Sequence, residues 1–153
     1  MHAQHIRRHF ANIGARAVLH RNRQGRDSAI QIDVGRDDEG EFFDIALNRQ
    51  SVHDLSVLDA RPDARHLLLM SRDPDGKHKF LCGHDERHWF VAAVPEQLAV
   101  SNVQTAFDAL KPADVHRMQT QLKVKRKNRN RRRNEAFVRQ GEWFFVPAPA
   151  WFT

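Results

Sequence analysis

The sequence predicts an α+β domain: an antiparallel meander of roughly five to eight strands, packed on one side by about three short helices. Three observations carry this. Ile30–Val34 and Phe43–Leu47 alternate apolar and polar residues around a polar turn. Leu67-Leu68-Leu69-Met70 is apolar at every position. Stripes at three- and four-residue spacing appear near both ends of the chain. A length of 153 residues suits one domain over 1–153, with a basic internal segment at 123–133.

Taken in order, Ile6, Phe10 and Ile13 form one face of a short amphipathic helix, and Gly14 is a stop because it tolerates a left-handed cap. Ala15–His20 is a candidate strand, and 21–27 is a polar loop. Ile30, Ile32 and Val34, then Phe43, Ile45 and Leu47, predict a hairpin with one face on the core, turning through 36–40. Leu55–Leu58 adds a short strand, which Arg61-Pro62-Asp63 interrupts. His66–Arg72 has the character of a central strand. Asp73-Pro74-Asp75-Gly76 fits a turn with Pro at its second position and Gly at its fourth. Lys77–Cys82 returns, 83–87 is a polar break, and His88–Val94 completes a three-stranded meander closed by Pro95.

Two helices are expected next. Ser101-Asn102-Val103-Gln104 reads as a capping box ahead of the stripe Val103, Phe107, Leu110. Lys111-Pro112 breaks it, and Val115, Met118 and Leu122 make a second stripe. The segment 136–147 is β-prone, with a tight turn at Gln140-Gly141.

Charge is distributed unevenly. The chain holds 25 Lys and Arg against 19 Asp and Glu, a net of +6. Eight basic residues fall within the eleven positions 123–133: Lys123, Lys125, Arg126, Lys127, Arg129, Arg131, Arg132 and Arg133. Without them, 17 basic against 19 acidic side chains leave −2. So local a charge calls for a polyanion, because each neutralised phosphate releases condensed counterions. Five of the eight are Arg, whose planar guanidinium matches phosphate oxygens in pairs. The expected activity is that of a nucleic-acid-binding module, RNA favoured over DNA, holding the backbone through these side chains. Trp143 and Phe144 could stack bases if exposed. Arg7, Arg8, Arg21, Arg23 and Arg26 form a thinner basic zone near the N-terminus.

A second cluster, His84, Asp85, Glu86, Arg87 and His88, offers acid–base groups beside a cation. These would suit a small metal-independent nuclease or phosphotransferase, with imidazole moving the proton and Arg87 holding phosphate. The plainer alternative is a polar hairpin tip facing water. Cys82, His84, Glu86 and His88 alternate, but a single strand from Lys77 to Val94 would run 18 residues against a usual ~5–6, so a common metal face is not expected. Cys82 lies beside Phe80 and Leu81 and should pack as a small apolar group. His5 and His9 share a helix face, but two ligands alone do not make a site. A third alternative is a subunit of a larger assembly, the basic segment docking onto another subunit or its RNA.

No phosphate-binding loop, dinucleotide glycine pattern, Gly-flanked catalytic Ser or zinc-protease motif is present, and no cofactor or metal is expected. One cysteine excludes an internal disulfide. The basic N-terminus precedes no apolar stretch of signal-peptide length, and nothing approaches the ~20 apolar residues of a membrane span. The expected location is the cytoplasm.

Overall fold

A computed structural model of the chain describes residues 1–21, 30–48, 51–74, 76–95, 99–111, 115, 119, 120 and 122, with the backbone alone of 138–140 and 143–145. Helix α1 (His2–Asn12) buries Ile6 and Phe10. It ends as Gly14 permits: Gly14 takes φ 89, its N–H reaches the Ala11 carbonyl, and the Ala15 N–H reaches the Phe10 carbonyl. This pair of hydrogen bonds about a left-handed glycine satisfies carbonyls that the helix end would leave open.

The first sheet contains β1 (Ala17–Arg21), β2 (Gln31–Asp37) and β3 (Gly40–Leu47) in the order β1-β3-β2. The β2–β3 hairpin forms with Ile32 opposite Ile45 and Val34 opposite Phe43. The all-antiparallel expectation is corrected at β1, which runs parallel to β3, Ala17 opposite Phe43 and Arg21 opposite Leu47. Such a pairing joins segments distant in the chain, so no turn signal announces it. Arg16 ties this sheet together, its Nη2 2.6 Å from Asp37 and its Nη1 3.1 Å from Glu39.

The second sheet is the predicted meander with one strand added: β4 (Leu55–Arg61), β5 (His66–Asp73), β6 (Gly76–His84) and β7 (Trp89–Ala93), in sequence order and antiparallel. A bulge between Val57 and Asp59 puts Leu58 out of register and on the surface. Leu67, Leu68 and Leu69 are all 0% exposed. Leucine favours helices, but strand propensity spans only about 1 kcal/mol, while burying one leucine contributes about 1.5–3 kcal/mol. Burial on both faces therefore determines this strand.

The two faces of β5 serve different cores. Leu67 and Leu69 join Cys82 and Leu55 against Ile32, Phe43, Ile45 and Leu47 of the first sheet, with Ile6, Phe10 and Ile13 of α1 completing that layer. Helix α1 packs against β1 of one sheet and β4 of the other, and β2 meets β7. Leu68 and Leu81 face the other way, onto helix α2 (Val103–Leu110) through Val103, Ala106 and Phe107. The expectation of one sheet with helices on a single side is thus corrected to two facing sheets, with α1 packed against a strand of each and α2 on the outer face of the second.

Helix α2 begins one residue later than the Ser101 capping box implies. Asn102 is the cap: its Oδ1 accepts from the Thr105 N–H at 2.8 Å, and Thr105 Oγ1 accepts from the Asn102 N–H at 3.1 Å. Asn caps as well as Ser, and this phase points Val103, Ala106 and Phe107 at the sheet. The Asp59 carboxylate accepts from the Val103 N–H at 2.9 Å, adding an anion at the positive end of the helix. Helices α1 and α2 are the two defined among the described residues. Val115, Gln119 and Thr120 have helical backbone, while Met118 of the third predicted stripe lies outside the described residues. Strands β8 (Val138–Gln140) and β9 (Trp143–Phe145) pair antiparallel, as the β-prone segment predicts.

Candidate functional site

The β6–β7 connection carries the predicted cluster, and Asp85 builds it. The Asp85 N–H donates to the His88 carbonyl at 3.0 Å, while Asp85 Oδ1 accepts from the Arg87 N–H at 3.1 Å and the His88 N–H at 2.9 Å. This is the local side-chain-to-backbone bonding that suits Asp to tight turns. Asp85 is therefore engaged in holding the turn. Burial alone would raise its pKa, but the backbone donors and the nearby His84 and His88 outweigh it, and the carboxyl sits below its ordinary value. Glu86 and Arg87 are exposed at the tip.

His84 and His88 face a site that the local sequence does not contain. Its centre is Trp89, half-buried, the outermost member of an aromatic series. Phe10 of α1 packs on Phe43 with ring centres 5.1 Å apart, and Phe43 meets Trp89 edge-on at 5.6 Å. On the Trp89 indole, the Arg65 guanidinium carbon lies 4.7 Å from the ring centre, and the His84 imidazole packs edge-on at 4.8 Å. Glu41 Oε1 lies 3.3 Å from His88 Nδ1 and 3.4 Å from the Trp89 N–H.

Arg65 is placed by backbone constraint. It follows the turn Pro62–Ala64 with φ 57 and ψ 48, a left-handed conformation uncommon for a side-chain-bearing residue. Its Nε donates to the Ile13 carbonyl at 3.5 Å, its carbonyl accepts from the His84 N–H at 3.1 Å, and a side chain at Gly14 would come within 3.3 Å of its Nη2. Among the described residues no carboxylate pairs with it. Partial burial, then the Arg65 charge, hold the His84 pKa below its ordinary 6.5, so the ring is neutral at pH 7 and able to accept a proton.

The resulting ledge offers an exposed planar cation, a neutral imidazole, and a second imidazole beside a carboxylate. A cation fixed on an aromatic face can receive a phosphate or carboxylate oxygen. Sequence reasoning missed Arg65, Glu41 and Trp89. The one local signal for Arg65 is the preceding Pro62-Asp63 turn; Glu41 and Trp89 carry none.

The other candidates fall as follows. Cys82 is 0% exposed between the sheets, and burial pushes its thiol pKa far up, which leaves no accessible thiolate. No group of three or more His, Cys, Asp or Glu suited to a metal occurs among the described residues. Arg7, Arg8 and Arg21 are exposed, while Arg23 and Arg26 lie outside the described residues. So do all eight basic residues of 123–133, from Lys123 to Arg133. Among the described residues no helix is long and apolar enough to cross a membrane. Compared with known proteins, the chain matches no family model, no curated protein and no solved structure.

Proposed function

We propose that the protein is a nucleic-acid-binding module, RNA slightly favoured over DNA as its ligand, through phosphate contacts from Lys123, Lys125, Arg126, Lys127, Arg129, Arg131, Arg132 and Arg133. One observation carries this: these eight side chains hold the whole positive excess of a chain that is otherwise net −2. Such a segment gains counterion-release entropy on any phosphate backbone. Phosphate contacts position the ligand without reading its sequence, so specificity would come from other surfaces, the Arg65–Trp89 ledge among them.

The test is affinity against salt. If all eight engage, the log–log slope should lie between about −6 and −7, the shallower value for a single strand. Reversing the charge of Arg129, Arg131, Arg132 and Arg133 should abolish binding and leave the thermal transition nearly unchanged. Binding that ignores salt would overturn the proposal.

A second reading is supported by the neutral His84 beside Arg65 and by His88 beside Glu41. These are the groups a metal-independent phosphodiester-cleaving or phosphoryl-transfer site requires: a base, a cation for the developing charge, and an imidazole that a carboxylate can orient. It would make Arg65, rather than Arg87, the phosphate-binding cation. His84→Ala or His88→Ala should then end turnover of labelled RNA while binding persists.

A further inference from the structure

We infer that His5 and His9, one turn apart on α1, are a chelating pair for a divalent transition-metal ion of the zinc class. Residues four apart on a helix share a face. Here the two Nε2 atoms are 3.3 Å apart, and the rings meet edge-on with centres 4.7 Å apart. Zinc binds imidazole nitrogen at about 2.0–2.1 Å, so two ligands of one tetrahedral ion stand about 3.4 Å apart. The observed separation is the edge of such a tetrahedron. At 3.3 Å one Nε2–H donates to the other Nε2 lone pair, and a metal ion bound by both nitrogens would replace that shared proton.

The platform is firm. Ile6 and Phe10, each adjacent to one of the pair, are 0% exposed in the core, so the helix carrying these imidazoles is anchored in the fold. His5 is exposed and His9 partly so, leaving an approach from solvent. Among the described residues the nearest further imidazole, His2, is 6.1 Å from His5 between ring centres, and its Nε2 contacts the Leu55 carbonyl at 2.9 Å. The described residues thus supply two ligands, short of the three of a catalytic zinc site or the four of a structural one, and water would complete the shell, which makes the pair a solvent-exchanging chelate and not a closed site. Imidazole suits zinc, nickel and copper, with copper the tightest by intrinsic order.

The test is zinc titration of the full chain at neutral pH by calorimetry, for wild type and for His5→Gln, His9→Gln and His20→Gln. Losing either half of a chelate removes its effective-concentration advantage, so His5→Gln and His9→Gln should each weaken zinc by at least about tenfold. His20, which contacts Asp44 on the first sheet, is the control, and its variant should stay within about twofold. Nuclear magnetic resonance of the wild-type histidine rings, which needs no variant, should show zinc shifting His5 and His9 together. Zinc binding unchanged in both helix variants, or no zinc binding by the wild type, would overturn the inference.

Discussion

The guanidinium of Arg65 lies over the Trp89 ring, its central carbon 4.7 Å from the indole centre, although 24 positions separate the two residues. This stack joins the turn after β4 to the start of β7 and puts a cation beside His84.

Arg65 contributes in two opposed ways, and substitutions separate them. An exposed cation–π contact stabilises by about 0.5–1 kcal/mol, while a non-glycine residue at φ 57 costs a similar amount. Arg65→Ala should lower the urea unfolding free energy by about 0.5–1 kcal/mol through loss of the stack. Arg65→Gly should stand close to wild type because relief at the backbone offsets that loss. If the alanine variant is as stable as wild type, the stack contributes nothing. If phosphate reaches the ledge, Arg65→Ala should also reduce the salt slope of RNA binding by about 1.

Gly83 lies under His66 in the β5–β6 register, and a Cβ there would fall 2.1 Å from the imidazole Cδ2. That ring cannot easily yield: it packs against Phe107 at 5.0 Å and Phe90 at 5.7 Å, with Nδ1 2.5 Å from the Ala64 carbonyl. Gly83→Ala should destabilise by about 1–3 kcal/mol, the usual cost of overpacking. In the His66→Ala background the same change should cost at least about 0.5 kcal/mol less, since the methyl enters the vacated space. Equal costs in the two backgrounds, measured by urea unfolding, would show that the ring is not the obstacle.

Acidification should weaken the fold first through histidine. His84 sits below its ordinary 6.5, by burial first and then by Arg65, so the unfolded chain takes up this proton before the folded one does. Stability then falls as pH drops through 6.5, until the folded state is protonated too. His9, lowered by burial and by His5, acts in the same direction. Asp85 has the carboxylate pattern: its contribution is present above the ordinary 3.8 and is lost as pH falls through its lowered value. Urea midpoints at about pH 7.5 and about pH 5 should show a loss that is smaller, though not absent, in His84→Gln. A loss equal to that of wild type would exclude His84 from the effect.

Much of the local structure was legible. Alternation in Ile30–Val34 and Phe43–Leu47 yields the expected hairpin with one face on the core, and Gly14 ends α1 through its positive φ. The fully apolar run at Leu67–Met70 becomes a strand buried on both faces. The α2 cap was misplaced by one residue because Ser101 and Asn102 are both good caps, and packing of Val103 and Phe107 on the sheet chose between them. At the candidate site, His84 and His88 were visible as titratable groups, but Arg65 arrives from a turn about 20 positions away and Glu41 from the start of β3 about 40 positions away.

The amino-acid order alone determined the spacing of apolar residues, the turns, and the segregation of positive charge into 123–133, because each depends on neighbours within a few positions. Only the tertiary structure decided that β1–β7 divide into two facing sheets, that β1 runs parallel to β3, and that Arg65, His84 and Glu41 surround Trp89. Periodicity tells which side chains share a face. What covers that face is settled by contacts between distant segments, whose burial must outweigh the entropy of bringing them together.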